Sequence, residues 1–284
     1  MVSSMTAFAR QTADSDWGSA VWEMRTVNHR YLEISLRLPE ELRALDGTVR
    51  ERIAARLKRG KVDCILRLDT QASDSGEFSV NSEIVEALTA AAGRINPGYS
   101  LNPVEVLRWP GVLESAPADI DRISAAALAL LDETLDELVA TRQREGRRMG
   151  EVIASRAAGA AEQVSVLRTR VPEIVTAVKE RYTQRVRELG ENMDEGRLEQ
   201  ECALLAQKLD VDEEIERLSA HIEEVGRVLG QKGAIGRRLD FLMQELNREA
   251  NTIGSKSAST ETTNISVELK VLIEQMREQV QNIE

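Results

Sequence analysis

The sequence predicts an α+β protein, an N-terminal βββαβα sandwich followed by long helices and an all-α C-terminal domain. Three observations predict it. Apolar and polar residues alternate with period two in the first third, the mark of half-buried strands. Beyond residue 119 the apolar residues recur at alternating three- and four-residue steps, and no proline follows Pro172, which suits long uninterrupted helices. Aromatic residues are only 3% of the chain, so Leu, Val, Ile and Ala must fill the core, as in helices packed on helices.

Taken in order, Ser3 to Arg10, Ser19 to Thr26 and Tyr31 to Leu38 read as strands, the third with Leu32, Ile34, Leu36 and Leu38 on one face. Gly18 marks the first hairpin turn and Asn28-His29 the second. Pro39 stops the third strand and suits the first turn of a helix. That helix, Glu40 to Arg59, lines up Leu42, Leu45, Val49, Ile53 and Leu57 in one stripe. Gly60 ends it, Lys61 to Asp69 alternates as a fourth strand, and Asn81 to Arg94 returns to helix. The order matches, by analogy, that of the ribosomal S5 domain 2-like fold.

Residues 95 to 117 are rich in Pro and Gly and read as a structured connector. It holds a short helix opened by Asn102-Pro103 and a Trp109-Pro110-Gly111 turn pinned by a buried indole. Helical seams follow at Val164, Leu167, Val171, Ile174 and Val178, at Leu218, Ile222, Val225 and Leu229, and at Ile265, Leu269, Leu272 and Met276. Pro172 should kink one helix or start another. Three regions result: an α+β domain over 1–118, a long-helix connector over 119–190 and an all-α domain over 191–284. Long helices with narrow seams need partners, so an oligomer is expected.

No apolar run approaches the roughly 20 residues that span a bilayer, and the N-terminus lacks a secretory pattern. Cys64 and Cys202 have no CxxC partner and read as reduced core thiols. A cytoplasmic protein with no membrane association is expected. The net charge of −11 argues against indiscriminate nucleic-acid affinity, but it is unevenly spread. Arg25 to Arg67 carries eleven Lys/Arg against six Asp/Glu, and a second basic island holds Lys232, Arg237, Arg238, Arg248 and Lys256. Such islands can grip phosphates, or can simply be solvated faces with local ion pairs.

Two histidines exist. His29 stands at the second strand turn between Asn28 and Arg30. Glu213, Arg217 and His221 share a helix face at i, i+4, i+8. A carboxylate and an imidazole on one face can bind a divalent metal, or can be no more than an exposed ion-paired face. Further carboxylates come from GRRLDFLMQELNREANTIGSK, residues 236–256. There Leu239, Leu242, Met243 and Leu246 form the buried stripe, and Asp240, Gln244, Glu245, Arg248 and Glu249 a dense polar face. Asn251 to Lys256 reads as a polar break that could present backbone N–H groups and Lys256 to a phosphate. Gly230, Gly233 and Gly236 imitate a phosphate loop, but no strand precedes them and no Gly-Lys-Ser/Thr follows, so no nucleotide cofactor is expected.

The run GRRLDFLMQELNREANTIGSKS, followed by VELKVLIEQMREQVQNIE, resembles the YicC/YloC family of bacterial endoribonucleases. So do SMTAFAR, EMRTVNHRYLEISLRLPE, the RWPGVLE turn and DVDEEIERLSAHIEE, so that the likeness spans nearly the whole chain. The middle helices, about 119 to 190, are generic. The resemblance implies a hexamer-forming RNase that needs a divalent metal and acts in RNA turnover or stress physiology. On the residues themselves, Glu213, Glu245, Glu249 and His221 are the expected ligands for Mn²⁺ or Mg²⁺. Arg237, Arg238, Arg248 and Lys256 would contact flanking phosphates, with Arg25, His29 and Arg30 on a second phosphate-gripping side. Cleavage through the RNA 2′-OH, with His29 or His221 as base, is the other chemical route. The alternative in a different class is a non-catalytic RNA-binding adaptor that presents RNA to another nuclease.

Overall fold

The computed structural model describes residues 2–70, 79–96, 98, 101–114, 119–188, 195–231 and 233–284. Lys232 and the expected domain junctions at 118 and 190 fall outside these residues or at their edge. The chain divides into two compact units, Phe8–Val139 and a second formed by Met1–Ala7 with Ala140–Glu284. Among the described residues no helix is long and apolar enough to cross a membrane.

In the first unit four strands, β1 (Ala7–Ser15), β2 (Gly18–Val27), β3 (Leu32–Arg37) and β4 (Gly60–Thr70), form one sheet in the order β1-β2-β4-β3. β4 is antiparallel to β2 and parallel to β3. The Asn28-His29 turn is therefore not a hairpin, because β4 lies between the strands that it joins. Parallel neighbours require a crossover of a dozen or more residues. Here the crossover is a 3-10 turn over Glu40–Leu45 and then α1 (Asp46–Arg56). The stripe expected on that helix is buried at Leu42, Val49, Ile53 and Leu57.

The even-numbered residues of β2 and Val62, Cys64 and Leu66 of β4 are buried, with Trp22, Met24, Val62 and Cys64 sealed from solvent. α4 (Ile120–Glu188) begins over this face, where the Trp22 indole Nε1 donates to the Ala127 carbonyl at 2.8 Å. A buried indole N–H needs such a partner. Arg52 donates to the Leu128 carbonyl at 3.0 Å and pairs with Asp132, while Arg56 pairs with Asp136, fixing α1 beside α4. α2 (Ser82–Ile95) is capped by the Asn81 side chain, which accepts from Ile84 N. β5 (Ser79–Val80) and β6 (Leu113–Glu114) pair with each other. α3 (Pro103–Leu107) opens at Asn102-Pro103 as expected. Trp109, expected to be buried, is 56% exposed. It follows a five-residue helix with no buried residue, whereas Trp22 lies on the covered face of a central strand.

The second unit is helical. α4 runs through Pro172 as one helix and is followed by α5 (Glu195–Leu209), α6 (Asp212–Leu229), α7 (Gly236–Ser255) and α8 (Thr260–Val280). One apolar core joins Ile153, Leu167, Leu218, Val225, Leu239, Met243, Leu269 and Met276. The chain ends close on it together. Ser4 bridges Ile283, Met5 N donates to Asn282 O at 2.8 Å, and Glu284 N donates to Ser3 O at 2.9 Å. The expected Ser3–Arg10 strand thus begins only at Ala7, because residues 3–5 pair with the C-terminus instead. Buried Arg142 seals the junction, donating to Ser4 O and to the Glu284 side chain, each at 2.6 Å. Glycines make room for these segments. A Cβ on Gly146 would lie 2.4 Å from Val2 O, and one on Gly236 only 2.3 Å from Ile283 O.

Cys202 is half-exposed and not a core thiol. Cys64 is buried, and burial pushes its thiol up to about 12.

Three outcomes follow from this packing. Gly236→Ala forces the terminal segment to shift and destabilises the fold by roughly 1–3 kcal/mol in urea unfolding. Gly226→Ala, on α6 with nothing within 4 Å of a new Cβ, gains roughly 0.5–1 kcal/mol instead. With a thiol reagent at pH 8, one cysteine per native chain reacts quickly, and the second reacts only after denaturation.

Candidate functional site

Two helices build the site. α6 opens with Asp212, Glu213 and Glu214 in its first turn, where negative charge is favoured by the exposed N–H groups. It buries Ile215, Leu218, Ile222, Val225 and Val228. α7 buries Leu239, Leu242, Met243, Leu246, Ala250 and Ile253, the stripe read from sequence extended by two turns. The expected polar break from Asn251 is absent, because Asn251–Ser255 continue α7. Backbone N–H groups expected to face a phosphate are spent inside the helix. Small polar residues have modest helix propensity, but the apolar Ala250 and Ile253 on the buried side hold the turn.

Where the two stripes meet, the polar edges of α6 and α7 face each other in an antiparallel ladder. Lys256 Nζ binds Glu214 Oε1 at 2.9 Å, Arg217 Nη1 stands 3.5 Å from Glu249 Oε1, and Arg238 pairs with Glu224. Between the last two rungs sits a different group. His221 from α6 and Glu245 and Glu249 from α7 bring one ligand atom each within 4.8 Å of one another. Glu249 is 3% exposed and the other two are half-buried. Such a nitrogen and two carboxylates are a donor set for a divalent cation. Glu245 and Glu249 are one helical turn apart, so both reach the same point beside the imidazole.

Of the residues expected at the metal, three come together and Glu213 does not. Glu213 pairs with Arg217 at the exposed side of α6. The Arg217 guanidinium is pushed above its ordinary value first by Glu213 and also by Glu249. Lys256, expected to be open to phosphate, also donates to the Asp210 carbonyl at 2.8 Å and so works as a tie between helices. Arg237 and Arg248 are exposed. Arg237 has no ion-pair partner among the described residues, and it lines an open groove with His221, Glu224, Arg238, Phe241 and Leu242.

In the other unit, Arg25 is exposed on β2, in register with Asp63. His29 Nδ1 lies 3.0 Å from Tyr31 O, with its Nε2 3.8 Å from Glu33. Arg30 stacks over the Tyr31 ring, 5.2 Å from its centroid. The sequence missed the roles of Glu214, Glu224 and Arg217 as rungs. The i+4 spacing within each helix was visible, but the register between helices was not.

Residues 2–151 match a family model described as "Endoribonuclease YicC-like, N-terminal region", and residues 167–284 one described as "Endoribonuclease YicC-like, C-terminal". The chain is 44% identical over 288 aligned residues to the "Probable endoribonuclease YicC" of Haemophilus influenzae, with all of both chains covered. A protein of the same name from Clostridioides difficile is 31% identical over 293 residues, again with complete coverage. With family models over both halves and full-length relatives at these identities, the chain belongs to the YicC-like endoribonuclease family.

Proposed function

We propose that this protein is a metal-dependent endoribonuclease that acts in RNA turnover or stress physiology, with its metal held by His221, Glu245 and Glu249. The observation that carries the proposal is the convergence of these three donors in a chain whose relatives are named probable endoribonucleases. A nitrogen beside two carboxylates suits Mn²⁺ better than Mg²⁺, which prefers oxygen ligands alone. A metal bound there supplies Lewis acidity toward a phosphate oxygen and an acidified water.

The chain's own residues do the rest. Arg217 holds the buried Glu249 carboxylate in place, and in turn is braced by Glu213. The Leu242–Leu246 stripe fixes the face of α7 from which both glutamates project. Arg237 and Arg248 contact backbone phosphates flanking the cut, and Arg25, His29 and Arg30 form a further phosphate-contacting patch on the other unit. We propose as well a homo-oligomer, a hexamer by resemblance to the family. Its support is the apolar surface left on the helices, such as Val267 and Val271 one turn apart on α8, 54% and 44% exposed.

Cleavage of a labelled single-stranded RNA by the wild type stops in EDTA and returns with Mn²⁺. Glu245→Ala and Glu249→Gln each lower kcat by at least about 100-fold while leaving RNA affinity intact, and calorimetry shows loss of Mn²⁺ binding. Cleavage that persists in EDTA and leaves 2′,3′-cyclic phosphate ends would assign the reaction to the 2′-OH route. Binding with no cleavage in Mn²⁺ would make the protein an adaptor. Light scattering reads six chain masses in solution, and a monomer would sink the assembly.

A further inference from the structure

We propose that Phe241 is a base-stacking platform that seats one nucleobase of a single-stranded RNA beside the His221–Glu245–Glu249 group; the inference rests on the endoribonuclease reading. Phe241 is one of three phenylalanines in the chain, and it is 56% exposed while its neighbours Leu242 and Met243 are buried. It stands on α7 between Arg237 and Glu245, four residues from each. Each four-residue step advances about 6 Å along a helix and turns about 40° around it. The series Arg237, Phe241, Glu245, Glu249 therefore forms one track that sinks gradually from solvent into the α6–α7 seam. Exposure follows that order, from two exposed side chains through a half-buried one to Glu249 at 3%.

The track places a phosphate contact, an apolar ring and the metal-capable carboxylates at successive turns. His221 lines both the groove that holds Phe241 and the donor group. The charge of the groove suits a polyanion. Its one carboxylate, Glu224, is neutralised by both Arg227 and Arg238, leaving Arg237 as excess positive charge. A duplex hides its base faces, whereas an unpaired nucleotide can stack on an exposed ring with little regard to base identity. The site therefore favours single-stranded or looped RNA and tolerates any base at the stacked position.

The test compares wild type with Phe241→Ala, Phe241→Leu and Phe241→Trp on a single-stranded RNA in Mn²⁺. Loss of the ring in the Ala and Leu variants lowers kcat/KM on the order of 10-fold, and Trp restores it. Replacing the base next to the cut by an abasic residue costs the wild type the same factor and costs Phe241→Leu almost nothing. A 2-aminopurine at that position is quenched by wild type and Trp but not by Leu. Unchanged cleavage by Phe241→Leu, with the wild type active, overturns the platform and leaves the endoribonuclease standing. A wild type that neither binds nor cuts RNA removes both. If Phe241→Ala lowers the solution mass, the ring is a contact between copies of the chain and the platform is overturned.

Discussion

The candidate site depends on how α6 and α7 are held in register. Each helix buries a stripe of leucines, isoleucines and valines, and once the stripes interlock their polar edges cannot slide. The ladder of Lys256–Glu214, Arg217–Glu249 and Arg238–Glu224 follows from that register. In each rung an exposed or half-buried cation meets a carboxylate that is largely shielded from solvent. What they contribute is selection, since a slip by one turn would part all three pairs. Beside the Arg217–Glu249 rung stand His221 and Glu245, and among the described residues Glu245 has no Lys or Arg ion-pair partner.

Glu249 shows how the register makes chemistry possible. A carboxylate at 3% exposure is costly to bury unless it is paired. The nearby Arg217 guanidinium offsets that cost without enclosing the carboxylate, because at 3.5 Å it leaves oxygen lone pairs for another cation. The arrangement keeps two carboxylates and an imidazole close together in a protected seam that opens at one end onto a groove. Arg237 and Arg238 line that groove together with the solvent-facing Phe241.

The rest of each unit serves to make these surfaces rigid. In the helical unit the two chain ends pair with each other and are sealed by Arg142, so that both termini are anchored to the same core. Gly146 and Gly236 let backbone pass where any side chain would collide. In the sheet unit the β3-α1-β4 crossover buries one face under helices and leaves the residues between β2 and β3, including His29 and Arg30, at the sheet end.

The sequence by itself determined what depends on local period and local chemistry. The stripes of α1, α6, α7 and α8, the Asn102-Pro103 helix start and the alternation of β2 and β4 were all legible, since a residue's place on a helix or strand follows from spacing alone. The 236–257 run was legible in a different way, as a resemblance to a known family, and His221, Glu245 and Glu249 could be named as donors. Only the tertiary structure decided which faces meet. It placed β4 between β2 and β3, turned residues 3–5 toward the C-terminus and continued α7 through a segment that reads as a break. It also excluded Glu213 and engaged Lys256, because their partners are chosen by the register between helices. That register is set by how two apolar surfaces interlock, and no spacing within either helix records it.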